Sequence, residues 1–484
     1  MSKAGSMGRS SYSVVDTDEA QRIHEAATDV LARIGLKVNS ETALKLLREA
    51  GCRVDNRTRI AKLPESLVNE AIKSAPKEFV LASRDGTRDI RIPAVDRPAI
   101  GTDGFGVDVM DFETGERRKS TNEDLAGFAR LGDASEALDF FWPILTPQDV
   151  PSHAQLFRAF VTSLENTGKH VQHEALGSHM ARMQIRAASE IAGSEKGLRQ
   201  RPIFSAVQCP IAPLQFEADS IEAAMEFAKA GVPVVYMSMP MAGGSAPITL
   251  AGSIVQGHAE VLGGLTISQL CQKGAPVFHS ILTGPIDMQT GTWASGSPEN
   301  AIGNAAAAQV AKRINLPSME GGFGTSAKTP GLQAGYEKIA TMIPSALSGT
   351  DIVTGIGGLD DARVMSMEEA VIDLEMWTFV LRMLRGVDAS PASLGLDALR
   401  DVGPGGMFLS HRETLTKFRT ELWTPTLGQR LAYERWKKEG SLDMTQRAKT
   451  KALELSARRT RHPLSKDIQV ALEAMATTEK KSTK

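Results

Sequence analysis

Eight short apolar runs, each followed by a longer stretch with apolar residues at helical spacing, divide residues 98–393. The runs are Ala99–Met110, Leu138–Ile144, His170–Glu174, Ile203–Cys209, Val232–Met239, Val277–Leu282, Ser318–Phe323 and Ile352–Gly358. Strands that alternate with helices are joined by crossovers, so neighbouring strands run parallel. Eight such units in about 290 residues match a closed (β/α)8 TIM barrel, which typically takes ~250. An open doubly wound sheet would be expected to open on a GxGxxG turn. The segment Gly101-Thr-Asp-Gly-Phe-Gly106 has the wrong glycine spacing and sits inside a strand run. The expected fold class is therefore α/β, a TIM barrel with additions at both ends.

Local signals set the boundaries. Ser120 with Glu123 and Ser366 with Glu369 have capping-box spacing, and Ser297-Pro298 puts proline at a first helical position. Several runs open on proline (Pro202, Pro233, Pro276, Pro317), which a strand tolerates at its first residue. Residues 1–97 read as a mainly helical cap. Asp16 and Glu19 start a first helix, which Gly35 stops; a second spans Ser40 to Ala50, and a third follows Pro64. Asp85-Gly86 between β-type runs marks a hairpin. Residues 394–484 form a helical extension with a glycine-rich break at Gly403-Pro-Gly-Gly406. Its final ten residues are expected to be without structure.

Composition narrows the class of function. A net charge of -2 in 484 residues gives no reason to expect nucleic acid or a membrane surface as partner. No apolar run approaches the ~18 residues of a membrane span, and Met1 to Ala20 lacks the apolar stretch of a signal peptide. Cys52, Cys209 and Cys271 lie too far apart for a CxxC pair, which fits a reducing cytoplasm.

Barrel chemistry sits where the strands end. That rule selects Asp103 and Asp108, Phe141 and Trp142, His170 and His173, Gln208, Met239 with Gly243 and Gly244, His279 with Thr283, Glu320 with Gly321, Gly322, Phe323 and Gly324, and finally Gly355, Gly357 and Gly358. Glu320 and His173 are the candidate acid–base groups. His170 and His173 are three apart and so face opposite sides of a strand, which weakens a two-histidine metal site. A convergence of His173, His279 and Glu320 on a metal is a minor alternative, and no tightly bound metal is expected. In a chain that is only 5% aromatic, Phe141, Trp142, Tyr236, Trp293, Phe323 and Tyr336 could form a cage for a quaternary ammonium. His279 joins them as a candidate binding residue. The glycine loops at Gly243-Gly244, Gly321-Gly322, Gly324 and Gly357-Gly358 suggest a large flat ligand or a partner over the mouth.

Several segments resemble the trimethylamine methyltransferase family. They are Asp111-Phe-Glu-Thr-Gly-Glu-Arg-Arg-Lys-Ser-Thr121, Asn166-Thr-Gly-Lys-His170, Gly296-Ser-Pro-Glu299, Gln333-Ala-Gly-Tyr-Glu-Lys338, and Gly403-Pro-Gly-Gly-Met-Phe-Leu409 with Phe418-Arg-Thr-Glu-Leu-Trp423. The resemblance implies a barrel that hands a methyl group to Co(I) of a corrinoid carried by a partner protein. It implies trimethylamine as donor only where an amber codon is read as pyrrolysine. This chain has ordinary residues throughout and looks like the branch similar to glycine betaine methyltransferases. It departs from the family in Ser410-His-Arg-Glu-Thr414, which holds one histidine where relatives often have two, and in Thr325-Ser-Ala-Lys-Thr-Pro-Gly331, which lacks acidic residues. Both departures bear on which amine is used. The competing expectations are a metal-assisted lyase or aldolase and a non-catalytic quaternary-amine binder. A homo-oligomer is expected because cap and extension add surfaces that a lone barrel does not need.

Overall fold

The structure, a computed structural model, describes residues 12–478. Eight parallel strands form the barrel: β1 (Ala99–Thr102), β2 (Phe140–Phe141), β3 (His170–Glu174), β4 (Phe204–Gln208), β5 (Val234–Ser238), β6 (Val277–Ile281), β7 (Met319–Gly321) and β8 (Ile352–Ile356). Each pairs with its neighbours in chain order and β8 pairs with β1. A single bridge from His279 to Ser318 joins β6 to the start of β7 and completes the ring. The helices that follow are α1 (Asn122–Ala134), α2 (Gln155–Asn166), α3 (Gly177–Ala192), α4 (Ala218–Ala230), α5 (Leu250–Cys271), α6 (Pro298–Arg313), α7 (Leu332–Leu347) and α8 (Met367–Leu384).

The expected units are present, with shifted edges. The first run stops being barrel at Thr102. Asp108–Met110 leaves the ring to pair with Arg117–Lys119 and Val364–Met365 in a small sheet over the mouth. Only Phe140–Phe141 of the second run is strand. The capping box of α1 is Thr121 with Asp124, one residue later than expected, because the Ser120 hydroxyl is already committed to the Val107 and Thr146 carbonyls. Ser366 and Ser297 cap α8 and α6 as their spacing implied. The last helix, Lys466–Thr478, runs into the final ten residues expected to lack structure; residues 479–484 lie outside the described residues.

Strand pleating splits the side chains between two compartments. Phe140, Trp142, Val235, Met237, Phe278, Met319 and Ile352 fill the barrel interior. The expected hairpin, Phe79–Leu81 with Ile90–Ile92, plugs one end of that interior through Leu81 and Ile92. His170 confirms the end it plugs: its Nδ1 lies 3.0 Å from the Ala82 carbonyl, at the start of β3. The N-terminal helices Thr17–Arg33 and Glu65–Ser74 pack on α5 from outside. Helix α5 is therefore covered on both sides, which explains why it is apolar all round rather than striped. The cap is also sewn to the barrel, because Leu36–Val38 pairs in parallel with Gln215–Phe216 from the loop after β4.

Gly101 shows how tightly the interior is filled. A Cβ built there would stand 2.1 Å from Cζ of Phe140, whose ring is fully buried. Gly101→Ala is expected to cost about 1–3 kcal/mol through overpacking, seen as a lower urea midpoint than that of the unaltered protein.

Candidate functional site at the barrel mouth

A cavity of about 160 Å³ opens at the C-terminal ends of the strands, the end from which catalytic groups of such barrels project. A larger hollow of about 490 Å³ lies at the opposite end, around Pro93–Asp96 and Leu316–Ser318. It is lined by no aromatic ring, so the mouth cavity is the candidate site.

Four aromatic residues line the mouth cavity: Phe105, Trp142, Trp293 and Phe323. Phe105 and Trp142 meet edge to face at 5.5 Å. Phe105 and Phe323 have φ of 67° and 47°. Bulky residues rarely occupy this left-handed region, and such strain persists where the surroundings impose it, often at ligand sites. The loop after β8 is more strained still, since Asp360, Asp361 and Ala362 have φ of 51°, 55° and 64° in succession. Arg117 and Lys328 pair with the Asp360 carboxylate. Oδ1 of Asp361 accepts hydrogen bonds from the Ser295 amide, the Ser295 hydroxyl and the Ser326 hydroxyl.

Asp103, Glu174 and Asp361 bring three carboxyl groups to the wall, and no lysine or arginine lines it. Burial raises Asp103 to about 6, against the pull of the Gly104 amide and the Lys338 ammonium. Burial alone lifts Glu174 to about 7. Behind the wall, Lys338 of α7 is fully buried, with Nζ 2.7 Å from Asp373 and 3.1 Å from Glu369 of α8. Burial opposes that ammonium, but the two carboxylates outweigh it and hold Lys338 above its usual value. Burial pushes Asp373 up, and the two acids of α8 face a single cation. Asp373 also accepts from the Gly357 amide at 2.7 Å, which ties the ion cluster to the end of β8.

Several donors around the cavity have no acceptor in the protein. The buried indole N–H groups of Trp142 and Trp293 are unpartnered. The backbone N–H groups of Phe323, Gly324 and Thr325 also donate to nothing among the described residues.

The residues selected from sequence divide between the two compartments. Trp142, Phe323, Gly321, Gly322, Gly324 and Gly358 line the cavity. Glu320, His173, His279, Tyr236 and Phe141 do not, because strand alternation turns them outward into the layer between barrel and helices. His173 stacks on Phe160 of α2, its Nε2 2.6 Å from the Leu156 carbonyl. The Tyr236 hydroxyl lies 2.7 Å from the Ser268 hydroxyl on α5, and Phe141 belongs to the outer core around Trp377. Tyr336 stands exposed on α7.

His279 ends a buried polar chain. Its Nε2 is 2.9 Å from His258 Nδ1, and His258 Nε2 is 3.0 Å from His24 Nδ1 on the N-terminal helix. Its own Nδ1 is 3.9 Å from Glu320 Oε1, beyond hydrogen-bond reach. Burial depresses all three imidazoles and raises Glu320, so the setting disfavours charge along the chain. Lys328, eight residues beyond Glu320, pairs with Asp360. Among the described residues, no group of three His, Cys, Asp or Glu side chains is arranged to hold a metal ion.

The glycines also have a different setting from the expected open loops. A Cβ at Gly358 would fall 2.4 Å from Asp103 Oδ2, and one at Gly324 would fall 2.2 Å from the Ser295 carbonyl oxygen. These glycines allow loops to pack against one another. Gly243 and Gly244 sit on a ribbon formed by Met241–Ala242 and Gly284–Pro285, packed against Met288 and Ile286, and Gly357 packs against Ile144 behind the wall.

Phe105, Glu174, Asp361, Asn300 and Asn304 line the cavity without having been selected from sequence. Glu174 carried a usable signal: if His170 faces inward, residues 172 and 174 do too. The others come from loops and from the start of α6, where no periodicity points inward.

Two outcomes test this electrostatic picture. Lys338→Met would leave Glu369 and Asp373 without a cation in the core, costing about 3–5 kcal/mol, measured as a fall in the urea midpoint. Glu174 has a folded value above its unfolded one, so its contribution is complete at acid pH and is lost as pH rises to about 7. Glu174→Gln should therefore raise the thermal midpoint above pH 7 and change it little at pH 5; equal shifts at both would contradict a carboxyl kept neutral at acid pH by its setting.

Comparison with known proteins agrees with the resemblance seen in the sequence. The family model described as trimethylamine methyltransferase (MTTB) matches residues 5–484. A trimethylamine methyltransferase MttB of Desulfitobacterium hafniense is 36% identical over 459 residues, 95% of this chain and 92% of the relative. One of Methanosarcina barkeri is 32% identical over 465 residues, covering 95% and 93%. A glycine betaine methyltransferase of D. hafniense is 30% identical over 465 residues, covering 96% of each. A solved MtmB complex with hydroxylamine shares the fold at TM-score 0.50 and 16% identity, covering 91% of this chain and 92% of that one. The chain belongs to the trimethylamine methyltransferase family, and is an enzyme of the methyltransferase class.

Proposed function

We propose that this enzyme moves a methyl group from a quaternary amine, glycine betaine or a related betaine, to Co(I) of a corrinoid carried by a partner protein. The observation that carries the reading is the cavity wall: four aromatic residues and three carboxyl groups, with no basic side chain. A quaternary ammonium cannot donate a hydrogen bond. It is held by charge and by aromatic faces, each good cation–π contact giving ~1–2 kcal/mol. The unpartnered N–H groups of Trp142, Trp293 and the Phe323–Thr325 backbone suit the carboxylate of a betaine, as successive backbone amides do in anion-binding turns.

The reaction asks little acid–base work of the protein. A quaternary nitrogen that gives up a methyl group departs as a neutral tertiary amine, so no proton need be supplied. Holding the ammonium in one orientation and excluding water are the tasks left to these side chains. A corrinoid would supply the nucleophile. The rim fits a flat, partner-borne group: Val107, Leu176, Ile211, Ile248 and Met288 are exposed apolar residues from five different strand-to-helix loops, and Leu332 is exposed at the start of α7. Among the described residues no helix is long and apolar enough to cross a membrane, and all three cysteines are free, in keeping with the cytoplasmic setting proposed for this chemistry.

Self-association is part of the same reading. The ten-residue helix Arg412–Glu421 buries none of its residues and exposes Leu415 and Phe418. Helices this short are marginal alone, so a second copy is the proposed support, to be read as oligomer mass by analytical ultracentrifugation.

The decisive assay mixes the protein with cob(I)alamin and, one at a time, trimethylamine, glycine betaine, proline betaine, carnitine and choline. The expected result is loss of the Co(I) absorbance with one betaine. Trp293→Ala should raise the KM for that betaine about 10-fold, one cation–π contact's worth. No turnover with any amine, even with a corrinoid protein from the same genome present, would refute the proposal.

A further inference from the structure

Glu174 differs from the other acids of the cavity. It is the last residue of β3, on the inward side of the pleat, and lines the wall with Trp142, Cys209 and Met237. Oδ1 of Asp361 has three protein donors, and Asp103 has the Gly104 amide at 2.9 Å. Among the described residues, no donor reaches the Glu174 carboxyl; its hydrogen-bonding residue-mate is only its own carbonyl, which accepts from Gln184. An ionised carboxylate half-buried among these groups would have no compensation from the protein, only from solvent in the cavity.

The groups around it do not change that. Cys209, at the end of β4, is kept a thiol by burial, with the Glu174 charge a lesser cause in the same direction. Asp103 beyond β1 and Asp361 after β8 are acids and would oppose a further negative charge. His173 is adjacent in the chain but lies on the outer face, where burial holds it neutral. No cation of the protein lines the cavity.

We infer that Glu174 is a counter-ion switched on by the substrate: protonated in the empty cavity, it gives its proton to solvent when a quaternary ammonium enters. This rests on the quaternary-amine reading above. The proton balance closes over a cycle. One proton leaves on binding; once the methyl group has gone, the tertiary amine departs with its lone pair free and is protonated by solvent, and the emptied carboxylate takes one proton back from water. Glu174 is thus a positioning residue that holds the cationic head group of the donor in the cavity.

Calorimetric titration of the full-length protein without corrinoid tests this, since no turnover can follow. Glycine betaine and tetramethylammonium chloride serve as probes, each in phosphate and in Tris, so that the difference in binding heat counts protons. Near pH 6 both probes should release close to one proton, falling to none above about pH 8. Glu174→Gln, an uncharged mimic of the protonated side chain, should release none and bind about 10-fold more weakly at pH 8, with no pH dependence. Release that persists in Glu174→Gln, or binding to the unaltered protein without release at pH 6, would overturn the inference while leaving the quaternary-amine reading intact. If neither probe binds the unaltered protein at all, that reading falls and the inference with it.

Discussion

Closing eight strands into a ring gives every strand residue one of two positions, and the position decides what the residue can do. Inward residues meet the plug, the packed interior or the mouth cavity. Outward residues meet the helices. The rule is geometric, imposed by the pleat, and admits no intermediate case. The chemistry at the mouth depends on it: Glu174 faces the cavity because it is one residue beyond His173, and for the same reason His173 faces Phe160.

That rule also separates what was legible in the sequence from what was not. The eight units, the hairpin and most helix starts could be read because each has a local cause: a period, a proline, a capping residue. The strand-end rule pointed to the end of the barrel where the mouth cavity lies and selected Trp142 and Phe323, which line it. It did not fix the phase of each strand. Glu320 and His279 were attractive as titratable groups at strand ends, yet in β6 and β7 the inward places belong to Phe278 and Met319. Phase is a tertiary property, set by which residues the plug and helices accept. The loop contributions of Phe105 and Asp361 depend on left-handed backbone at non-glycine residues, which no composition signal announces.

The polar groups that face outward form their own systems. His24, His258 and His279 link the N-terminal helix, α5 and the barrel wall through hydrogen bonds between their rings. Lys338 with Glu369 and Asp373 fastens α7 to α8 just behind the cavity. Buried pairs of this kind add little net stability compared with well-packed apolar residues, but they are costly to break singly. Both systems join a barrel strand, or the loop at its end, to an element outside it, so they hold the cap and the last two units in one arrangement relative to the mouth.

The left-handed turn at Asp360–Ala362 bears on the order in which the molecule is assembled. Its stabilising partners come from far apart in the chain: Arg117 is 243 residues away from Asp360, and Ser295 is 66 residues from Asp361. Contacts over such separations form late, after the loop-closure entropy has been met by other packing. A strained turn whose one local hydrogen bond runs from the Arg363 amide to the Asp360 carbonyl cannot precede them. The Asp361 wall of the cavity is therefore completed only when the first and last units of the barrel have met. A chain still emerging from the ribosome, or one stalled with an open ring, would hold most of its secondary structure and no ligand site.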